Sequence, residues 1–214
     1  MFVNMHSHRD LENDTIGIIN LDNFKTPLSD KSLYSVGIHP WKAVDSDCLN
    51  YLDKVIKLSE NKQVVAIGEC GFDSLKGDRI LQDQLFAKQV EISERAKKPL
   101  IIHSVGTHHK VLAAKKLFNP RQKWLMHSAL ASKEMGDQFI RENIYCSFAS
   151  RSLQHKSSIE MFKKYPRNLI FLETDDSTFS INMIYNFAAT ILKCDVESLK
   201  EQCYSNFREF ISNG

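Results

Sequence analysis

Two histidines near the start of the chain have the spacing of a metal site. His6 and His8 follow a short apolar run at 2–5, which predicts a buried strand. Side chains alternate across a strand, so residues two positions apart point to the same side. Two imidazoles on one side of a strand end can bind one divalent ion, such as Zn, Fe, Ni or Mn. Such pairs also occur on exposed strands, so this prediction needs support from the rest of the chain.

The same arrangement returns along the chain. Further metal-binding side chains follow later apolar runs, and they are His39, Glu69, His103, His127 and Asp175. A single histidine after an apolar run is usually a structural residue. Five of the eight histidines lie at such positions, which is too many for that interpretation to hold at each one separately. The pattern predicts a metal centre built from the ends of strands.

Four of these histidines and the two carboxylates are enough to hold two divalent ions that share one carboxylate. Glu69 is central among the predicted strands and is the natural bridge. Two ions about 3.5–4 Å apart stabilise both the attacking and the leaving oxygen of a displacement. Asp175 could bind one ion and accept the proton of the attacking water as a general base. Asp175 and Glu69 are therefore the predicted catalytic residues. Mg, Mn, Zn, Fe and Ni are all candidate metals, because a site of histidines and carboxylates accepts several ions.

Strands must end where these side chains lie, and eight apolar runs predict them. Most runs are continuously apolar, which is typical of strands buried on both faces. The predicted strands are 2–5, 15–20, 33–37, 64–68, 100–102, 124–126, 144–147 and 169–172. Apolar residues at spacings of three and four predict helices between the later strands. The predicted helices are 45–60, 78–97, 107–118, 132–142, 151–165, 181–193 and a last one that begins after Asp195.

Strands that alternate with helices predict an α/β protein with a parallel sheet, and eight of them predict a distorted (β/α)8 TIM barrel. In that fold the carboxyl ends of the strands gather on one face, where catalytic residues lie. The chain has 214 residues, fewer than the usual length of about 250. The deficit falls early, since only six residues separate His8 from Thr15. We therefore expect reduced helices after the first strands and a single domain over 1–214.

Composition limits the partners and the location. The net charge is +2, from 28 basic and 26 acidic residues, so a nucleic-acid contact would have to depend on a local patch. Five cysteines in no paired spacing fit a reducing compartment better than a set of disulfides. The sequence shows no signal peptide and no apolar run of roughly 20 residues. We expect a cytoplasmic protein that makes no membrane contact, and a monomer.

Six motifs in order carry a resemblance to a known family. They are His6-Ser-His8, Gly37-Ile-His-Pro40, Ala66-Ile-Gly-Glu-Cys-Gly-Phe-Asp73, Pro99-Leu-Ile-Ile-His-Ser104, His127 and Leu172-Glu-Thr-Asp175. The chain resembles the TatD family of metal-dependent hydrolases and DNases, in the amidohydrolase superfamily, over nearly its whole length. The resemblance implies one metal ion on His6, His8, Glu69 and Asp175. It implies a second ion on Glu69, His103 and His127.

The resemblance also implies DNA or another phosphodiester as the substrate, with His39 contacting the phosphate. Three departures from the family pattern concern the substrate pocket and leave the ligands intact. Val105 stands where the family often has an arginine, the turn after His127 contains no glycine, and the motif after Asp175 lacks the family's proline. The missing arginine and the small net charge favour an alternative, a two-metal hydrolase of a small ester, amide or lactone. A catalytically silent scaffold that binds metal is the alternative from another class.

Two further residues neighbour the predicted ligands in the sequence. Trp41, close to His39, is either an aromatic at the rim that contacts the substrate or a residue that caps the core. Glu173 is expected to have a structural or supporting role, because strand alternation places it on the opposite side of the chain from Thr174.

Overall fold

The computed structural model describes residues 1–24, 27–44 and 46–212, and within them all eight predicted strands are found. The strands are β1 (Phe2–Ser7), β2 (Thr15–Asn20), β3 (Leu33–Val36), β4 (Val64–Asp73), β5 (Leu100–Val105), β6 (Trp124–Met126), β7 (Tyr145–Phe148) and β8 (Ile170–Leu172). Each strand neighbours the next one in the chain. The pairs β1–β2, β3–β4, β4–β5 and β7–β8 are parallel, as predicted.

Helices follow most of the later strands. They are α1 (Leu52–Ser59), α2 (Arg79–Ala96), α3 (His108–Phe118), α4 (Lys133–Arg141), α5 (Ser150–Gln154), α6 (Lys156–Lys164), α7 (Ile181–Leu192) and α8 (Val196–Ile211). Short 3-10 helices cover Pro40–Lys42, Ser46–Tyr51 and Arg167–Leu169. Between β1 and β3 the described residues form no helix outside the strands, which confirms the predicted reduction after the first strands.

Two predicted helices differ from the observed ones. The predicted helix 151–165 is two helices, because His155 between them has extended backbone angles of φ −91 and ψ 122. The predicted helix 45–60 begins as the 3-10 segment Ser46–Tyr51 and becomes α1 only at Leu52. Asp45, the predicted first residue, lies outside the described residues. Helical periodicity in the sequence detects the apolar face but not such local breaks.

Met1–Ile19 and Met126–Ser212 form one compact unit, here the first unit. Its core contains the buried rings of Tyr145, Phe171 and Phe210. The ring centroid of Tyr145 lies 5.2 Å from that of Phe210, and the centroid of Phe171 lies 5.7 Å from each of the other two. Tyr185 on α7 fixes the start of β1. Its hydroxyl donates to the carbonyl of Val3 at 3.1 Å and accepts from the N–H of the same residue at 3.2 Å.

Asn20–Leu125 form the other compact unit, here the second unit. The α2 helix packs on β4, and Phe86 lies 4.6 Å from Phe72 and 5.5 Å from Trp124 between ring centroids. Gly71 lets β4 approach β5 closely, since a Cβ at this position would lie 2.1 Å from the carbonyl oxygen of His103. Its φ of 142° is also one that other residues rarely adopt.

The described helices include none with both the length and the apolar character needed to cross a membrane. All five cysteines are free thiols. The single domain over 1–214, the monomer and the cytoplasmic location stay predictions.

Asn4 joins β1 to the segment that follows β8. Its Nδ2 donates to Thr174 Oγ1 at 2.8 Å, and its Oδ1 accepts from the Thr174 N–H at 3.0 Å. Both residues are buried. We expect Asn4→Leu to lower the free energy of unfolding by about 2–6 kcal/mol, because two buried polar groups lose their partner at about 1–3 kcal/mol each. Urea denaturation measures the change, with Asn13→Leu at an exposed position as the control. Equal losses of unfolding free energy in both variants would contradict the stabilising role of the Asn4–Thr174 hydrogen bonds.

Candidate metal centre

The first unit brings Asp175 against the end of β1. The Asp175 N–H donates to the carbonyl of His6 at 3.0 Å, and the His8 N–H donates to the carbonyl of Asp175 at 3.4 Å. These two bonds form a parallel bridge across Ser7. Asp175 has a φ of 54°, in the left-handed region that few residues besides glycine and the Asx residues adopt. The end of β1 is therefore bound to a residue with a strained backbone conformation, and functional residues are often found at such positions.

The side chains at this bridge converge. The Nε2 atoms of His6 and His8 lie 3.3 Å apart, and Asp175 Oδ1 lies 3.5 Å from His8 Nε2 and 3.9 Å from His6 Nε2. Donor atoms at about 2.1 Å from one ion lie roughly 3.0–3.4 Å apart for octahedral and tetrahedral angles. The observed separations are close to those values. His6, His8 and Asp175 thus form a group that could hold one divalent ion, as the sequence predicts for these three residues.

His127 forms a second group in the first unit. Its ring lies 4.6 Å from that of His6 between centroids, and its Nδ1 lies 3.4 Å from Glu173 Oε1. Glu173 is 0% exposed, and the same Oε1 accepts the N–H of Ser128 at 2.6 Å. One donor atom each from His127, Glu173 and Asp175 fall within 4.8 Å of one another.

The second unit has its own group around Glu69. This side chain is 4% exposed, and its Oε1 lies 2.7 Å from His103 Nδ1 and 3.2 Å from His39 Nε2. The two imidazole nitrogens are 3.3 Å apart. The buried Asn20 fixes the backbone here, since its Oδ1 accepts the Glu69 N–H at 3.0 Å. A buried carboxylate surrounded by imidazole nitrogens is a donor set that fits a divalent cation.

The hydrogen-bond partners of the two histidines in this group differ. Carboxylate oxygens lie beside both nitrogens of His103, since Asp73 Oδ2 is 3.1 Å from Nε2 and Glu69 Oε1 is 2.7 Å from Nδ1. An ionised carboxylate can only accept, so a proton on Nε2 would leave the Nδ1 lone pair for a metal ion. At His39 the Nδ1 accepts the backbone N–H of Trp41 at 3.1 Å. The proton of a neutral His39 is therefore on Nε2. With the proton on Nε2, His103 would be a metal ligand and His39 a hydrogen-bond donor, the role that the resemblance implies for it. Both roles stay predictions.

Asp73 also lies in this group, although the sequence patterns did not single it out. Its Oδ2 also accepts the indole N–H of Trp41 at 2.6 Å, and its Oδ1 accepts the N–H of Leu75 at 2.7 Å. Burial is the largest influence and raises its pKa, but the bonds from Trp41, Leu75 and His103 together outweigh it and lower the pKa of Asp73. The carboxylate is thus held ionised. Its position four residues after Glu69 on the same strand was the available signal.

Trp41 lies at the rim of this group. Its side chain is 48% exposed, which excludes the core-capping interpretation, and its ring lies 4.9 Å from His39 between centroids. The Nζ of Lys76 lies 3.7 Å from the centroid of the Trp41 ring. Contact between Trp41 and a substrate stays a prediction.

Two buried glutamines of α2 position the strand ends in the second unit. Gln89 Oε1 accepts the N–H of Ile38 at 2.6 Å, next to His39. Gln82 Oε1 accepts the N–H of Asp73 at 2.9 Å, and its Nε2 donates to the carbonyl of the same residue at 3.1 Å. The two glutamines are seven residues apart and so share one helix face. Polar side chains on an otherwise apolar face were a signal that sequence reasoning missed.

Each unit therefore gathers its own members of the predicted ligand set. The first unit contains His6, His8, His127 and Asp175, and the second contains Glu69, His103 and the predicted substrate contacts His39 and Trp41. The sharing of Glu69 between two ions stays a prediction from the sequence.

Comparison with known proteins gives matches over most of the chain. The model of the family described as TatD related DNase matches residues 20–212. An uncharacterised metal-dependent hydrolase of Buchnera aphidicola is 31% identical over 153 residues, which cover 69% of this chain and 57% of the relative. A deoxyribonuclease Tat-D of Schizosaccharomyces pombe is 26% identical over 195 residues, 79% of this chain and 61% of the relative. The chain thus spans less than two thirds of the length of these relatives.

A solved structure has the same fold. The TatD homologue YJJV of Escherichia coli superposes with a TM-score of 0.83 at 18% sequence identity, covering 98% of this chain and 97% of that one. Together with the eight parallel strands in sequence order, this likeness confirms the predicted (β/α)8 fold class.

The contacts of Asp73 generate a prediction about metal affinity. Asp73→Asn removes the charge that favours a proton on His103 Nε2, so Nδ1 would present its lone pair to a metal ion less often. Loss of a carboxylate partner of this kind typically lowers metal affinity about 10–100-fold. We expect a loss of that size for the ion held by the second unit, measured by Zn²⁺ titration against a chromophoric chelator. Asp53→Asn, exposed on α1, is the control. Unchanged affinity in Asp73→Asn would refute the supporting role.

Proposed function

The chain belongs to the TatD-related DNase family, and from this membership we propose that it is a divalent-metal-dependent hydrolase of phosphodiester bonds in nucleic acid. The observation that carries the proposal is the convergence of imidazole and carboxylate donor atoms at ligand spacing in each unit. Relatives named as metal-dependent hydrolases and as deoxyribonucleases support the reaction type and the substrate class.

Metal binding falls to the predicted ligands in this proposal. His6, His8 and Asp175 would hold one ion, and Glu69, His103 and His127 would hold another, with Glu69 shared between them as the resemblance implies. When bound, the divalent ions supply a Lewis acid that polarises a phosphoryl oxygen and generates a nucleophile from water at neutral pH.

The protein's own side chains supply the remaining steps. Asp175 is partly exposed and held by two backbone hydrogen bonds, so it can accept the proton of the attacking water in a fixed direction. The backbone N–H of Trp41 occupies His39 Nδ1, so a neutral His39 would donate from Nε2, which lies 3.2 Å from Glu69 Oε1. We assign this N–H to the contact with a phosphoryl oxygen. Trp41 presents an exposed ring on which a base can stack.

One observation favours a second candidate function. Val105 at the end of β5 is 37% exposed and places an apolar side chain where the family often has an arginine. An uncharged ester, amide or lactone needs no cation at that position. Hydrolysis of such a small substrate by the same metal centre is therefore the second candidate.

A substrate panel tests these possibilities. The protein is stripped with a chelator, reconstituted separately with Mn²⁺ and Zn²⁺, and assayed on single-stranded DNA, a bis-aryl phosphate, an aryl ester and a lactone. We expect cleavage of the two phosphodiesters that disappears with chelator. Asp175→Ala is the matched variant, with its metal content measured alongside turnover. Cleavage of only the ester or lactone would favour the second candidate. Full metal content without turnover on any substrate would favour a silent scaffold.

Glu69 is expected to be the most sensitive residue, because it alone contributes oxygen to both ions in the proposed arrangement. Two like unit charges 4 Å apart repel each other by about 4 kcal/mol at an effective dielectric of 20, and two divalent ions would repel each other more strongly. The negative charge of Glu69 would offset that repulsion. We expect Glu69→Gln to lose at least one metal ion. Turnover should fall at least about 100-fold, more than for residues that only support a ligand. Elemental analysis, circular dichroism and a rate for each variant provide the measurement.

His8→Asn is the comparison for Glu69→Gln. It removes a ligand of one ion, so it should weaken one site and leave the other unchanged. If Glu69→Gln retains both ions and normal turnover, the prediction that two ions share the Glu69 carboxylate is wrong.

A further inference from the structure

Lys76 is an exposed cation that the proposed reaction does not use. It lies in the loop between β4 and α2, and its Nζ is 3.7 Å from the centroid of the Trp41 ring. An ammonium at this distance from an indole ring is held by a cation–π interaction. The ring contacts one side of the ammonium, and N–H groups on the other side can donate to an anion. The structure therefore places a positive charge beside the exposed Trp41.

The loop that carries Lys76 is held against the turn that carries Trp41. Gln82 Nε2 donates to the carbonyl of Lys76 at 2.6 Å. Gly77 has a φ of 80°, and a Cβ at this position would lie 2.6 Å from the carbonyl oxygen of Pro40. Close backbone approach thus brings the two segments together. Because the loop is already fixed, Lys76 loses less conformational entropy when it binds a ligand.

Trp41 connects Lys76 to the proposed metal group of the second unit. The ammonium lies 3.7 Å from the Trp41 ring centroid, which lies 6.3 Å from the His103 ring centroid, so the ammonium is no more than about 10 Å from the His103 ring. Along one strand of B-DNA a phosphate charge follows every 3.4 Å or so of helix axis. A strand with one phosphate at the metal group would bring another, roughly one to three nucleotides away, to Lys76.

The charge of the chain is divided unevenly between the two units. Residues 20–125 contain 17 lysines and arginines and 12 aspartates and glutamates, which gives a net charge of +5. The rest of the chain has 11 basic and 14 acidic residues, a net charge of −3. The second unit is therefore the one that attracts a polyanion. A cation near the site also offsets the repulsion between a phosphate and the carboxylates of Glu69 and Asp73.

We infer that Lys76 is a specificity residue, whose ammonium binds a backbone phosphate next to the one that is cleaved. The inference rests on the proposed function and names a residue that selects a nucleotide strand over a single phosphodiester. A bis-aryl phosphate or an uncharged ester has no second phosphate, so it gains nothing from this contact.

Oligonucleotide binding provides the first test, because it is independent of turnover. The full chain is kept in chelator to prevent cleavage, and the fluorescence anisotropy of a labelled single-stranded oligonucleotide is measured over a series of salt concentrations. We expect Lys76→Met to make the slope of log affinity against log salt shallower by about 0.7. That slope corresponds to a loss of about 5-fold in affinity at 0.1 M salt, relative to 1 M salt where the contact is screened.

Two further variants separate the phosphate contact from other effects. Lys76→Arg keeps the charge and should keep the wild-type slope and affinity. Lys62→Met removes the same charge from an exposed turn before β4, at the opposite end of the strand that Lys76 follows, and should keep the wild-type slope.

Turnover after reconstitution with Mn²⁺ provides the second test. Lys76→Met should raise KM for the oligonucleotide about 5-fold with little change in kcat, because the contact lies outside the reacting bond. Its kcat/KM for the bis-aryl phosphate and its metal content should equal those of the wild type. Equal losses on both phosphodiesters would show that Lys76 only supports Trp41, and would overturn the inference.

The binding results separate this inference from the proposed function. If the wild type binds and cleaves the oligonucleotide and Lys76→Met does so with the same slope and affinity, the inference is wrong and the nuclease proposal stands. If the wild type neither binds nor cleaves it but hydrolyses the ester or lactone, the nuclease proposal is wrong and the inference falls with it.

Discussion

Buried carboxylates that face imidazole nitrogens impose the constraint on which the rest of this structure depends. Glu69 is 4% exposed and Glu173 is 0% exposed, and each lies within 3.4 Å of a histidine nitrogen. Removing a carboxylate from water is unfavourable without a cation or several donors. The fold keeps these groups close together at a cost in stability. A bound cation would offset that cost, so the proposed metal binding would be coupled to folding stability.

The strand ends that carry the ligands are held by amide side chains. A strand end leaves backbone groups without ladder partners, and an asparagine or glutamine offers a donor and an acceptor in one side chain. Asn4 and Asn20 lie on strands, and Gln82 and Gln89 lie on the face of α2 that packs against β4. The ligand positions are therefore fixed by neighbouring elements in addition to their own loops. That arrangement keeps donor atoms at ligand spacing before an ion binds.

The features that could be predicted from the sequence are the local ones. Continuous apolar runs indicated every strand, and Asp195 indicated the start of α8, where its carboxylate accepts the Ser198 N–H at 2.7 Å. The break at His155 was missed, because a single extended residue leaves the helical periodicity on both sides unchanged. The role of Asp73 was missed because its partners come from other elements. Strand alternation predicted different sides for Glu173 and Thr174, and their partners differ, Ser128 for Glu173 and Asn4 for Thr174. The partner of Glu173 is 45 residues away in the sequence and could not be predicted from local pattern.

His39 and His103 show why residue type and position alone do not assign chemistry. Their nearest nitrogens are 3.3 Å apart, and both approach the same oxygen of Glu69. The difference lies on the far side of each ring. The carboxylate beside the far nitrogen of His103 favours a proton there, which would leave the near nitrogen for a metal ion. The backbone N–H at the far nitrogen of His39 places the proton of a neutral ring on the near nitrogen. Exchanging these two partners would exchange the proposed roles of the histidines without moving either ring. The direction of one hydrogen bond at each imidazole is thus the feature that would separate a metal ligand from an anion contact.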